Sequence, residues 1–437
     1  MGGDLSTLPA GWRLVRVGDL CVRVSVGYVS STRAHFCPPG EGVPLVRSQN
    51  IRPGRLVLDD VAWVTRAFHE ANPKSQLQPG DVLFTRVGAN AGDVCIVPDG
   101  ADEMHLSSAV FARPTREHRK YVELFFRSAL GQYVLKSRIV GSVSERINTR
   151  DVEALSVLLP SASEEAAIAH ILGTLDAKIE LNRRMTETLE AMAQALFKSW
   201  FVEFDAARAK AAGADPSVPG RLADIFPARF VDSQVGEIPE GWEVRGLDDI
   251  AHFINGLALQ KYPPTEGRSL PAIKIAQLRA GNVEGADAAS ASIDADSIVD
   301  DGDVVFSWSG SLECVLWAGG RGALNQHLFK VTSEMYPKWL YYLSIQHHLD
   351  DFRRIAAGKA TTMGHIQRHH LSDAKVAIPT PVELQAMDRV IAPLIESSWQ
   401  RRVQSRSLVA LRDALLPKLI SGELRVQNAE RFVARAI

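Results

Sequence analysis

The stretch Leu8-Pro9-Ala10-Gly11-Trp12 occurs a second time as Ile238-Pro239-Glu240-Gly241-Trp242, 230 residues further along the chain (242 − 12). A second motif, GDVLFT at residues 80–85, returns as GDVVFS at residues 302–307, 222 residues on (302 − 80). The motifs keep their order, and the offset changes only by small insertions and deletions. Solenoid repeats are roughly 20–50 residues long. We therefore predict a tandem duplication of a whole domain.

The composition is that of an ordinary globular protein. The chain has 437 residues, of which 46% are hydrophobic and 23% charged, and this length predicts two to three domains. It has no run of about 18 apolar residues and no signal sequence at its start. Its four cysteines lack Cys-x-x-Cys spacing. We expect reduced thiols and a cytoplasmic protein that does not contact a membrane.

The charge balance gives no general attraction to nucleic acid, because the formal net charge is −2. Residues 1–155 carry 19 lysines and arginines and 16 acidic residues, a net charge of +3 (19 − 16). Residues 238–380 carry 13 and 17, a net charge of −4 (13 − 17). Any nucleic-acid surface must then be a local patch.

Short strand-like segments separated by turn signals predict a mixed α/β domain in each copy. They cover residues 43–47, 55–58, 81–85, 94–97 and 109–112 in the first copy, and residues 272–276, 303–307, 314–317 and 328–331 in the second. An amphipathic helix follows in each copy, over residues 121–138 and 337–356.

A long helix is predicted to close each copy. Over residues 164–204, mostly apolar residues recur at alternating steps of four and three, which is the heptad pattern of coiled coils, and residues 382–420 show a diluted form of it. The predicted seam places Ile168, Leu172, Leu175, Ile179 and Leu189 against Met387, Ile391, Leu394, Leu408 and Leu415. We predict that the two helices pair as an antiparallel coiled coil; the alternative is that each packs on its own domain.

These patterns divide the chain into six segments. They are a first globular domain (1–158), a central long helix (159–212), a connector (213–237), a second globular domain (238–379), a distal long helix (380–425) and a C-terminal tail (426–437).

Signatures of common enzymes are missing from the sequence, among them the phosphate loop GxxxxGK[ST], GxGxxG and the Asn-Pro-Pro-aromatic tetrapeptide of amino-methyltransferases. Asp176-Ala177-Lys178 and Asp373-Ala374-Lys375 resemble the acidic-x-Lys end of a nuclease site, but their positions in the repeat are not equivalent. His365, His369 and His370 have the helical spacing that metal ligands use, without histidines at the matching first-copy positions. We expect neither catalytic residues nor a metal site, with these histidines on the polar surface or at DNA.

Polar clusters follow the predicted strands at matched positions of the two copies. Arginine, asparagine, glutamine and serine side chains read base edges, and lysine, serine and backbone amides hold phosphate. The matched positions keep their polarity but change identity, as expected for a duplicated reader of two different half-sites; the alternative is ordinary loop polarity. The candidate DNA-binding residues are Arg47, Ser48, Gln49, Asn50, Thr85, Arg86, Asn90, Ser108, Ser144 and Arg146 in the first copy, and Lys274, Gln277, Trp308, Ser309, Ser311, Asn325, Gln326, Lys359, Thr361 and His365 in the second.

Three longer motifs resemble the specificity subunit of Type I restriction–modification systems. They are ALFKSWFVEFD at residues 195–205, GEIPEGW at residues 236–242 and LRDALLPKLISGEL at residues 411–424. The resemblance covers nearly the whole chain. It implies two target-recognition domains, each of which reads half of a bipartite asymmetric site in double-stranded DNA, and two helices that form a spacer and a docking surface.

The resemblance also implies partners that carry the chemistry. These would be two methyltransferase subunits with S-adenosylmethionine and two nuclease–translocase subunits with ATP and Mg²⁺, so this chain would bind no cofactor. Two other functions remain open from the residues alone. One is a self-contained DNA nuclease or methyltransferase with a degenerate site, and the other is a coiled-coil adaptor for proteins.

Overall fold

The computed structural model describes residues 9, 11–88, 90–138, 146–215, 218, 222–264, 267–358 and 364–433. The chain forms two compact units. The first contains Met1–Lys178 and Leu408–Ile437, and the second contains Ile179–Ser407. No helix in the described part of the chain is long and apolar enough to cross a membrane.

The first unit is built on a four-stranded antiparallel sheet of order β2-β10-β7-β8 and a three-stranded sheet of order β6-β3-β9. Its strands are β1 (Arg13–Arg16), β2 (Cys21–Val26), β3 (Val43–Val46), β4 (Ile51–Arg52), β5 (Arg55–Leu56), β6 (Ala62–Val64), β7 (Val82–Phe84), β8 (Val94–Ile96), β9 (His105–Leu106), β10 (Val110–Pro114) and β11 (Ser156–Leu159). The short helices are α1 (Val17–Leu20), α2 (Arg66–Ala71), α3 (Arg119–Arg127), α4 (Ala129–Lys136) and α5 (Thr149–Glu153). Three-residue 3-10 turns cover Arg33–His35, Ser48–Asn50 and Pro73–Ser75.

Between the two copies lie a long helix, α6 (Ala162–Phe197), which ends in a π-helical turn, Lys198–Val202, and a connecting segment. That segment contains α7 (Asp205–Ala211), α8 (Leu222–Ile225) and a hairpin of β12 (Phe230–Ser233) and β13 (Gly236–Pro239). Residues 213–237, predicted to be a connector, thus include a helix and most of this hairpin. Lys210 Nζ fastens the segment by donating hydrogen bonds of 3.1, 2.8 and 2.7 Å to the carbonyl oxygens of Ala223, Asp224 and Phe226.

The second unit repeats the four-stranded sheet of the first, with order β15-β22-β19-β20, and its other sheet has one strand more than that of the first unit, with order β17-β16-β21-β18. Its strands are β14 (Glu243–Gly246), β15 (His252–Asn255), β16 (Ser269–Ile273), β17 (Ala288–Ser290), β18 (Ile298–Val299), β19 (Val304–Ser307), β20 (Cys314–Leu316), β21 (Gly322–Leu324), β22 (Leu328–Thr332) and β23 (Lys375–Ile378). Its helices are three short ones, α9 (Leu247–Ile250), α10 (Ile275–Ala280) and α12 (Arg368–Asp373), and the longer α11 (Lys338–Ala357), with 3-10 turns at Leu259–Lys261 and Ala295–Ser297. The chain closes with α13 (Pro381–Ile420) and with α14 (Val426–Val433), which lies inside the predicted tail 426–437.

The repeated Gly-Asp-Val motif builds the same turn before β7 and β19. Gly80 and Gly302 have φ values of +86° and +89°, a left-handed conformation that favours glycine. The aspartate that follows accepts a hydrogen bond from the backbone N–H three residues earlier, at 2.8 Å for both Asp81 and Asp303. This shared turn and the shared strand order confirm the predicted duplication of a mixed α/β domain.

Two of the differences from the predicted elements have a clear local cause. The helix expected over residues 121–138 is broken into α3 and α4, because Ser128 adopts an extended conformation and its hydroxyl accepts the N–H of Gly131 at 3.1 Å. The strand expected through Ala276 ends at Ile273, where Lys274 caps helix α10 instead.

The long helices run antiparallel within each unit. In the first unit Asp176 of α6 pairs with Arg412 of α13, at 3.3 Å. In the second, Asn182 Nδ2 donates to Gln404 Oε1 at 2.8 Å, and Thr186 Oγ1 donates to the carbonyl of Ser398 at 3.3 Å. The partner residue number falls as the number on α6 rises, which confirms the predicted antiparallel pairing.

The predicted seam is buried at most of its positions. Ile168, Leu172, Leu175, Met387, Ile391, Leu408 and Leu415 are buried, whereas Ile179, Leu189 and Leu394 are only half-buried. Ile395, next to Leu394, is 3% exposed and belongs to the core of the second unit with Met387 and Ile391. The seam of α13 therefore departs by one residue from the heptad prediction at this point.

The long helices pair with each other, as predicted, and they also pack on a globular domain over part of their length. The end of α6 packs into the core of the second unit, where Phe201 contacts Trp242 and Trp339 at ring distances of 5.6 and 5.7 Å. Phe204, which directly precedes α7, adopts a left-handed conformation, with φ of +57°. Helix α6 is thus both a partner of α13 and a part of the second domain.

Candidate nucleic-acid interface

The candidate residues of the first copy gather where several strands end. Strand β10 begins at Val110, which pairs with Val26 at the end of β2 and with Phe84 at the end of β7. The N–H of Ser107, just after β9, donates to the carbonyl of Val46 at the end of β3, at 2.9 Å. These registers place the three turns that follow β3, β7 and β9 at one edge of the domain. We call this the recognition edge of the first copy: residues 47–50, 85–88, 90 and 107–109, together with a fourth turn at residues 146–148.

The fourth turn reaches this edge through backbone pairing. Val87 forms a bridge with Arg146, and the N–H of Ile147 donates to the carbonyl of Arg86 at 3.1 Å. The recognition edge of the second copy (residues 274–277, 307–311, 325–328 and 365–367) is joined in the same way. There Ser309 bridges to His365, and the N–H of Ile366 donates to the carbonyl of Trp308 at 3.0 Å.

The same backbone bonds fix which residues of the two copies correspond. Arg47 matches Lys274, because Val46 and Ile273 are the last paired residues of equivalent strands. The two bridges match Arg86 with Trp308 and Arg146 with His365. Equal backbone frames therefore present different side chains.

Most described candidates present their side chains at the recognition edges. Gln49, Asn90, Ser108, Arg146, Lys274 and Ser311 are exposed, and Arg47, Ser48, Arg86, Trp308, Gln326 and His365 are half-buried. Ser144, Lys359 and Thr361 lie outside the described residues.

Five candidates face the interior and support the loops. Asn50 and Gln277 are 3% and 9% exposed, and each side-chain oxygen accepts the N–H of the residue three positions before it. Thr85 is 1% exposed. Ser309 hydrogen-bonds with His327 Nδ1 at 3.0 Å, and Asn325 Oδ1 accepts the N–H of His327 at 3.3 Å. Residue type could not separate these side chains from true base readers, because the same amides and hydroxyls serve both purposes.

Several side chains at the edges hold polar atoms without a hydrogen-bond partner. Among the described residues these include Nε of Arg47, Nε of Arg86 and Nε1 of Trp308, all shielded from solvent. A polar atom removed from water without a partner costs free energy, so such groups need an explanation in a native structure. A ligand seated on the edge is one such explanation.

Sequence reasoning missed a groove of about 440 Å³ at the second recognition edge. Its lining includes Gln260, Lys274, Asp287, Gln326 and His327. Asp287 forms an ion pair with Lys274 at 2.5 Å. Neither Gln260 nor Asp287 belongs to a sequence motif, and both lie near the candidate residues only in the folded domain.

His327 was detectable as an insertion. Backbone bonds match Ser108 with Gln326 and Ala109 with Leu328, so the second copy has one more residue in this turn. The shorter first-copy turn holds Ser108 in a left-handed conformation, with φ of +58°, which is uncommon outside glycine and is frequent at functional sites. A careful alignment of the two copies would have shown the extra histidine.

The three histidines singled out by spacing have separate roles. The ring nitrogen Nδ1 of His370 accepts the N–H of Gln367 at 2.9 Å, and the rings of His369 and His370 lie 4.0 Å apart. His365 pairs with Ser309 through the backbone. Within the described part of the chain, no group of three or more histidine, cysteine or acidic residues is arranged to hold a metal ion.

Asp176, in one of the two acidic-x-Lys matches, belongs to an ion network that joins helices of the first unit. It pairs with Lys120 at 2.8 Å, with Arg127 at 2.7 Å and with Arg412 at 3.3 Å. Burial alone raises the pKa of Asp176, but the charges of Lys120 and Arg127 and their hydrogen bonds outweigh burial and hold the pKa well below its usual range. A carboxylate held by three cations in this way is a structural group.

Comparison with known proteins agrees with the duplicated architecture. The model of the Type I restriction modification DNA specificity domain matches the chain twice, at residues 9–191 and 239–396. The chain belongs to this family. Each match contains one α/β domain and the first part of the long helix that follows it, so family membership and the observed repeat divide the chain alike.

Individual members of the specificity family are distant in sequence. The Type I restriction enzyme HindI specificity subunit of Haemophilus influenzae is 22% identical over 405 residues, covering 80% of this chain and 88% of the relative. The MjaIX specificity subunit of Methanocaldococcus jannaschii is 26% identical over 317 residues, covering 71% and 70%. The crystal structure of a Type I S subunit from M. genitalium has a TM-score of 0.57 at 12% identity, covering 93% of this chain and 96% of that chain, and so shares the fold.

Proposed function

We propose that this chain is the DNA-recognition and assembly subunit of a Type I restriction–modification complex. Each copy reads one half of a bipartite asymmetric site in double-stranded DNA. One observation carries the proposal: the two recognition edges have the same backbone bonds and different side chains. Turns held on a rigid scaffold are where recognition commonly resides, and the family membership gives the class of ligand.

The reaction chemistry is proposed to reside in partner subunits. Two methyltransferase subunits would carry S-adenosylmethionine, and two nuclease–translocase subunits would use ATP and Mg²⁺, all assembled on this chain in the cytoplasm. The long helices would provide docking surface and fix the distance between the half-sites. Partners that surround the DNA would also supply the phosphate neutralisation that a chain of net charge −2 does not.

A domain exchange tests the division of labour. Residues 238–380 are replaced by the matching domain of a relative with a different specificity, and methylated adenines are mapped in cells that express the hybrid with its methyltransferase subunit. We expect one half of the methylated motif to change and the other half and the spacer to stay. A change in both halves, or in neither, would contradict the proposal.

A binding measurement separates this proposal from a self-contained enzyme. Calorimetric titration of the isolated chain with S-adenosylmethionine should give no heat of binding, whereas the assembled methyltransferase complex should bind it. Binding by the isolated chain would favour the enzyme. The ion network around Asp176 weighs against the acidic-x-Lys match at residues 176–178 as a nuclease site.

A further inference from the structure

The two recognition edges differ in charge at matched positions. Arg47 and Lys274 are both cations, but Arg86 is matched by Trp308 and Arg146 by His365. The first edge thus carries three guanidinium groups where the second carries one ammonium group, an indole and an imidazole. A guanidinium is charged at every physiological pH and has a planar fork of donors.

The three arginines of the first edge have no carboxylate partner in the described part of the chain. Elsewhere in this copy the structure does neutralise arginines: Arg113 is held by both oxygens of Asp81, at 2.7 and 2.8 Å. Arg47 and Arg86 are half-buried, and their Nε atoms are shielded from solvent without a hydrogen-bond partner. Their remaining donors are available to an acceptor outside the protein.

The second edge is organised around rings and amides. The Trp308 ring lies 6.0 Å from Phe329 and packs edge-on against His365 at 6.3 Å. Lys274, its cation, is paired with Asp287. The half-buried Gln326 lines the groove beside His327. This edge presents apolar ring surface and an amide where the first presents unpaired positive charge.

The side chains of the two recognition edges suit different base pairs. Arginine donates in bidentate fashion to O6 and N7 of guanine, whereas glutamine pairs with N6 and N7 of adenine and apolar groups contact the thymine methyl. We propose that the first copy reads guanine in the major groove through Arg47, Arg86 or Arg146, and that the second copy reads A·T pairs through Gln326 and Trp308. The recognised site is then compositionally asymmetric. This inference rests on the proposed function, whose half-sites it assigns.

The test uses the complete complex with its methyltransferase subunits and the duplex found by methylation mapping. The exchange of residues 238–380 first assigns each half-site to its copy. Each guanine of the first half-site is then replaced by 7-deazaguanine, which keeps the base pair and removes N7. We expect the replacement at a contacted guanine to weaken binding about tenfold to a hundredfold. Substitution of 7-deazaadenine in the second half-site should act similarly.

Matched variants locate the contact. Arg47→Lys, Arg86→Lys and Arg146→Lys each keep the charge and lose the fork, so at least one should reduce discrimination against 7-deazaguanine while leaving the second half-site unchanged. Gln326→Ala should reduce discrimination against 7-deazaadenine in the second half-site and leave the first half-site unchanged. Arg116→Lys is the control, because Arg116 is exposed and lies beyond the opposite end of β10. The complex with this substitution should bind every duplex as the unaltered complex does.

Each outcome decides the inference. It is overturned if no first-half guanine is sensitive to 7-deaza substitution, or if all three lysine variants discriminate against 7-deazaguanine as strongly as the unaltered complex does. It is also overturned if the neutral variants Arg47→Gln, Arg86→Gln and Arg146→Gln each weaken binding to all sequences alike and lower the salt slope by about one, since that marks a phosphate contact at all three positions. Failure of the proposed function looks different: the assembled complex would then bind no duplex with sequence preference.

Discussion

Asn50 and Gln277 close the same turn in the two copies, although their side chains differ in length. Asn50 Oδ1 accepts the N–H of Arg47 at 2.9 Å, and Gln277 Oε1 accepts that of Lys274 at 3.3 Å. Both amides are buried. The turn that presents Arg47 or Lys274 is therefore fixed from inside, and the outward residue can change without loss of the frame.

Removing the internal amide should loosen this turn. Asn50→Ala leaves the N–H of Arg47 without its partner and also breaks the bond from Asn50 Nδ2 to the carbonyl of Val57, at 3.0 Å. We expect the free energy of unfolding to fall by about 1–2 kcal/mol. The exposed neighbour Gln49 is the control, and Gln49→Ala should change stability by less than about 0.5 kcal/mol. Urea denaturation measures both, and equal stabilities would contradict the role assigned to Asn50.

The pairing of α6 with α13 predicts graded effects of truncation. Leu175→Ala and Ile395→Ala remove buried side chains, so each should cost about 2–5 kcal/mol. Leu394→Ala should cost less, because Leu394 is only half-buried. The matched control is Leu181→Ala, since Leu181 lies on α6 but is 49% exposed. Thermal melting gives the order; an equal loss at Leu181 would show that the seam is misplaced.

The duplication and the long helices were predictable because repeated motifs and a heptad spacing of apolar residues can be recognised directly in the sequence. Gly80-Asp81 and Gly302-Asp303 are repeated because the turn needs a left-handed residue and an internal acceptor. The step at Ile395 was not predictable from a heptad, because α13 also packs on the core of the second unit. A straight helix with 3.6 residues per turn buries residues four apart there.

The sequence predicted the location of the candidate site better than it predicted which side chains form it. Matched polar segments after the strands located the recognition edges, because strand ends are where turns converge. Thr85 and Asn50 could not be recognised as internal supports, since burial depends on partners distant in sequence. Asp287 was missed for the same reason, because its proximity to Lys274 arises only in the folded domain.

The ion network at Asp176 predicts strong destabilisation when its carboxylate is removed. Asp176→Asn leaves Lys120, Arg127 and Arg412 with fewer negative partners in a mostly buried setting, and we expect a loss of about 3–5 kcal/mol. Glu187→Gln is the control on the same helix, because its pair with Arg183 is exposed and should contribute under about 1 kcal/mol. Urea denaturation of both variants at pH 7 measures the difference, and similar losses would refute the structural role.

A buried histidine pair predicts an acid sensitivity around β9 and β10 of the first copy. Nδ1 of His105 lies 3.3 Å from Nδ1 of His69, and His105 is completely buried. Burial, and then the charge that His69 can acquire, lowers the pKa of His105 to about 4, and burial also lowers the pKa of His69. Around His69, the charges of Glu103 and Glu70 oppose this shift and that of Arg66 adds to it.

The direction of the pH effect follows from proton uptake by the unfolded chain. An unfolded histidine has a pKa of about 6.5, so below that pH the unfolded state binds a proton that folded His105 does not take up until about pH 4. Stability from this group is complete above pH 6.5 and falls as the pH is lowered toward 4. His105→Phe should flatten this dependence, as measured by hydrogen exchange of β9 and β10 at pH 7 and pH 5. The second copy has Ala323 at the matching position and serves as the internal reference. An unchanged pH dependence in the variant would refute the assignment to His105.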